Sequence, residues 1–99
     1  MDNNTRWKIE EEHAANMKQL KEAEELLDEY QMKMRQTTQQ LLDYVYSFYR
    51  ELDEGVPSNL SQPFEEVLEN YNFSLRQKRE ELEELRLQEQ RDFNQKMDF

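Results

Sequence analysis

No cysteine occurs in this chain of 99 residues, so neither a disulfide framework nor thiol chemistry is available to it. There is a single glycine, which rules out a glycine-rich phosphate loop. Both prolines and that glycine fall in Gly55–Pro63, so nothing elsewhere interrupts a helix. One histidine, His13, is too few for a multi-histidine metal site. No apolar run approaches the roughly 20 residues that span a bilayer. The N-terminus, Met1-Asp2-Asn3-Asn4-Thr5, is polar and lacks the apolar segment of a signal peptide. A cytoplasmic protein is expected, with co-export open only to a route that cleaves no signal.

What is present is charge. Charged residues make up 36% of the chain and hydrophobic ones 35%, a balance too polar for an ordinary compact core. The formal net charge of −10 disfavours nucleic acid and anionic membrane surfaces and favours a basic patch or basic tail on a protein partner. Neither membrane insertion nor nucleic-acid binding is expected. Ala, Glu, Lys, Leu and Arg together approach the half of the chain that is typical of long helices and coiled coils.

The expected fold is all-α, a single domain over 1–99. Two long antiparallel helices, about 4–53 and 61–96, form a coiled-coil-like hairpin with its turn at about 54–61. Asn3, Asn4 or Thr5 would cap the first helix, and Pro63 sits well in the first turn of the second. At 1.5 Å per residue the helices span roughly 75 and 50 Å. With the pivot near Pro57, Met97 reaches about as far as Met17, leaving residues 1–16 as an overhanging arm.

Leu20, Leu27, Met34, Leu41 and Phe48 are seven residues apart, as are Phe64 and Tyr71, with Leu85 two steps further on. That spacing describes a stripe along a helix. The expected hairpin seam is Leu20, Leu27, Met34, Leu41, Val45 and Phe48 against Phe64, Leu68, Tyr71, Leu75, Leu82 and Leu85, with polar breaks at Gln31, Thr38 and Lys78. Apolar residues off this stripe are candidates for holding a partner: Trp7, Leu26, Tyr30, Leu42, Tyr46, Tyr49 and Phe93. Aromatics among them are large, stiff contact residues that recur as interface anchors.

Chemistry finds little support. Glu10-Glu11-Glu12-His13 contains one Glu-x-x-His, whereas a di-iron bundle needs two copies and two further glutamates. Glu80-Glu81 and Glu83-Glu84 lie on a straight helix, which cannot wrap a cation as a calcium loop does. No nucleophile has a base and an orienting group. No catalytic residue, metal or cofactor is expected, and the chain reads as an interaction protein rather than an enzyme.

A cysteine-free, acidic helical hairpin with a short mid-chain turn resembles the WXG-like proteins of Gram-positive type VII secretion. It is most similar to the small accessory proteins encoded beside LXG toxins. The turn here is Glu54-Gly55-Val56-Pro57 in place of Trp-x-Gly, and Tyr49-Arg50-Glu51-Leu52-Asp53 has the spacing of the export signal but precedes the turn. The resemblance implies an adaptor or targeting chaperone without its own export signal. It would bind the helical N-terminal region of an LXG toxin, alongside a second small helical accessory protein. The alternative is a self-associating scaffold, a homodimeric four-helix bundle.

Overall fold

Helix propensity and the absence of breakers carry α1 without interruption over Asn3–Leu52, and α2 over Gln62–Met97. In this computed structural model, which describes residues 1–53 and 55–98, the two helices pack against each other as an all-α hairpin. Asp2, one residue earlier than expected, caps α1: its Oδ1 accepts the Thr5 backbone N–H at 2.6 Å. The helix stops where Asp53 takes φ 56°, a left-handed turn that aspartate tolerates better than most residues. Gly55 follows at φ 78°, a conformation that glycine adopts without steric cost. Glu54 lies outside the described residues. Pro63 stands in the first turn of α2, where Glu65 donates its backbone N–H to the Ser61 carbonyl at 3.0 Å.

Contacts divide the chain into two units, each a helix pair: Met1–Leu27 with Gln77–Phe99, and Asp28–Arg76. In the second unit Gln31 Nε2 donates to Asn72 Oδ1 at 3.3 Å. Leu52 lies 21 residues beyond Gln31, but Gln62 lies only 10 before Asn72. α1 therefore outreaches the start of α2 by about 11 residues, roughly 16 Å. The connection from Gly55 to Ser61 runs back beside the last turns of α1. Short bonds, Leu60 N–H to the Pro57 carbonyl and Gln62 N–H to the Asn59 carbonyl, both 3.2 Å, tighten it, and Leu60 and Ser61 are half-buried.

This backward run moves the expected pivot and corrects the overhanging arm. In the first unit the His13 ring stacks on Phe93, centroids 4.0 Å apart and planes 14° from parallel. His13 Nδ1 lies 3.1 Å from Glu89 Oε1, and Asn16 Nδ2 donates to the same oxygen at 3.2 Å. Residues 13–16 are thus paired with α2, and Ile9 is half-buried as well. Trp7 remains 58% exposed.

The seam also differs from the seven-residue stripe. Leu27 and Leu75 are the most buried apolar residues, at 9% and 5% exposure, and Leu20, Met34, Val45, Phe64, Leu68, Tyr71 and Leu82 are half-buried. Leu41, Phe48 and Leu85 are not in the seam; Leu41 is 50% exposed. A straight helix turns about 20° per seven residues away from a heptad column. From Leu20 to Phe48 that accumulates to about 80°. An eleven-residue spacing nearly cancels the drift. The covered columns keep it: Leu20, Gln31 and Leu42; Leu27, Thr38 and Tyr49; Phe64, Leu75, Arg86 and Met97. Leu42, Tyr46 and Tyr49, expected to point outward, lie on this half-buried side. Thr38 is buried, and among the described residues no buried side-chain polar atom lacks a hydrogen-bond partner.

Two predictions follow from this packing. At fixed protein concentration, urea unfolding of Leu27→Ala and Leu75→Ala should show losses of about 2–3 kcal/mol each, whereas Leu85→Ala stays within about 0.5 kcal/mol. Equal losses at Leu75 and Leu85 would restore the heptad seam. The second concerns Asp2, whose carboxyl is held below its ordinary value, chiefly by the Thr5 backbone N–H. A lowered folded value means that the cap contributes fully above the ordinary carboxylate range and is lost as pH falls through the lowered value. Hydrogen exchange at the Thr5 amide, corrected for its intrinsic pH dependence, should accelerate there, and Asp2→Asn should flatten the profile.

Candidate helix-docking surface

A pair of helices offers each residue column only one neighbour, so most apolar columns stay open. Fourteen large apolar side chains are exposed among the described residues, against two that are buried. They are not scattered evenly. In the first unit, Ala23, Leu26 and Leu27 of α1 with Lys78, Glu81, Leu82 and Leu85 of α2 line an open groove of about 260 Å³. Ala23 supplies the depth, because its side chain ends at Cβ. Leu26 and Leu85 form the exposed apolar walls. A second hollow of about 270 Å³ is lined mostly by polar residues, Asn16, Gln19 and Glu89 with Leu20, and shares Leu85 with the first.

The two hollows lie about seven residues apart along α1, or roughly 10 Å. That is the spacing at which an incoming helix presents apolar side chains one heptad apart, each entering a hole between four residues. Arg86 lies on α2 outside both hollows and is paired with Glu83, Nε to Oε2 at 2.9 Å. That pairing holds the Glu83 carboxyl below its usual range and the Arg86 guanidinium above its own.

The sequence candidates separate in the structure. Leu26 stands at the groove, and Trp7 and Tyr30 are exposed elsewhere on α1. Phe93 is half-buried under His13, and Leu42, Tyr46 and Tyr49 are half-buried beside the seam. Leu85 stands as a wall of the groove and not in the seam where a heptad places it, and Ala23 between the walls has no apolar bulk to mark it in the sequence. The Phe64, Leu75, Arg86, Met97 spacing was the signal that would have placed Leu85 outside the seam. Among the described residues, no group of three or more His, Cys, Asp or Glu side chains is placed to hold a metal ion. No helix there is long and apolar enough to cross a membrane. No protein-family model, curated protein or solved structure matches the chain.

Proposed function

We propose that this protein is a non-enzymatic helical adaptor. It binds the helical N-terminal region of an LXG-type toxin and helps deliver it to type VII export, a second small helical accessory protein completing the assembly. The observation that carries the adaptor reading is the leucine-walled groove at Leu26, Leu82 and Leu85, with a more polar hollow one heptad further along α1 that shares Leu85, both open to an incoming helix. The choice of an LXG toxin rests on the resemblance of the hairpin, its acidity and its short turn. Docking would bury apolar surface at about 25 cal/mol per Å², offset by the cost of association. The acidic remainder of the surface supplies solubility and partner choice.

Co-expression with the helical N-terminal region of a cognate LXG toxin should give a complex that survives size exclusion. Leu26→Asp with Leu85→Asp should lower the affinity at least ten-fold while the far-UV helical signal of the adaptor persists. Absence of a wild-type complex would overturn the toxin assignment, and an intact complex with the double variant would move the docking surface elsewhere.

A further inference from the structure

The Asp28–Arg76 unit carries a second apolar surface that the adaptor reading does not use. At 100° per residue, Tyr30, Leu41, Tyr44, Phe48 and Leu52 fall within a band of about 80° on α1, about 90° round from the seam. All five are exposed, Tyr44 at 70%. Val67, also exposed, extends the band onto α2. It does so because antiparallel helices turn matching flanks to the same face. The six side chains leave on the order of 100 Å² each, roughly 600 Å² in all, close to the ~800 Å² per partner of a specific interface.

Charge decides what can cover this strip. The unit has nine acidic and four basic residues, a formal −5. Yet the strip holds no carboxylate. Asp28, Glu29 and Asp43 lie at least roughly 100° round α1 from the strip's centre, and Glu65, Glu66 and Glu69 at least roughly 100° round α2 from Val67. Only Lys33 and Glu51 border it on α1, in one column, nine residues either side of Leu42. Their arrangement is self-complementary. If two α1 strips cross antiparallel about a two-fold axis near Leu41 and Tyr44, Lys33 of each copy meets Glu51 of the other. Tyr30 of each copy then lies against the other's Leu52.

From this placement we infer that the strip Tyr30–Leu41–Tyr44–Phe48–Leu52 is the two-fold interface of a homodimer, with reciprocal Lys33–Glu51 pairs at its border. Two copies of a chain with net charge −10 meet through the uncharged face and keep their carboxylates apart. The inference does not depend on the toxin, since the groove at Leu26 and Leu85 belongs to the other unit.

The test is sedimentation equilibrium of the full chain over a concentration series. The expected result is reversible assembly to twice the 12.3 kDa chain mass, strengthened by salt because it screens the net repulsion. Tyr44→Asp with Phe48→Asp should weaken assembly at least ten-fold. Lys33→Glu alone, or Glu51→Lys alone, should weaken it several-fold through like-charge contacts. An equimolar mixture of those two single variants should regain wild-type strength, because each then supplies the other's partner. A wild-type monomer at all concentrations overturns the inference. So does a dimer indifferent to Tyr44→Asp with Phe48→Asp, and failure of the mixture to regain strength overturns the antiparallel arrangement. Toxin binding by the Tyr44→Asp, Phe48→Asp chain reports separately on the adaptor reading.

Discussion

Two helices share one line of contact, and only residue columns that stay on that line can be buried. A column stays on the line when its spacing matches the turn of the helix. Seven residues fall short of two full turns, and eleven come close to three. The columns through Leu20, Gln31 and Leu42 and through Phe64, Leu75, Arg86 and Met97 therefore remain covered, while Leu41, Phe48 and Leu85 rotate into the open. Part of the exposed surface follows from the same arithmetic: Leu41, Phe48 and Leu85 keep a heptad spacing on helices that do not follow it.

Polar residues decide the register along that line. Apolar side chains slide past one another at small cost, whereas a half-buried amide or carboxylate without a partner is expensive. Gln31 bonded to Asn72, and His13 and Asn16 converging on Glu89, mark two such positions, one in each unit. The stacking of His13 on Phe93 adds an apolar contact to the second of them. The connection after Asp53 is long enough to run back beside α1, so the turn does not impose a pivot at its own midpoint.

Acidity and apolar exposure then divide the labour on the surface. A chain of net charge −10 still exposes Leu26 and Leu85 at one groove and Tyr44 and Phe48 on one strip. Carboxylates are kept off the strip by their positions around the helices, which leaves it able to meet an equally acidic copy. The groove has Ala23 between leucine walls, with Lys78 and Glu81 in its lining.

The two helices, their limits to within a residue or two and the place of the turn were legible in the amino-acid sequence. Gly55, Pro57 and Pro63 stand together and no other residue breaks a helix. The covered face was legible only in part. Leu27 and Leu75 belong to both the seven-residue and the eleven-residue readings, but Leu42 and Leu85 do not, and a local apolar pattern cannot tell a drift of about 20° per heptad from none. Nor could it show that Asn72 and Glu89 are the partners of Gln31 and His13, because each bond joins residues more than 40 positions apart. Sequence alone determined that the chain is helical, hinged once and acidic. Tertiary packing decided which column faces inward and which apolar residues stay exposed, since rotation and register are properties of two helices together.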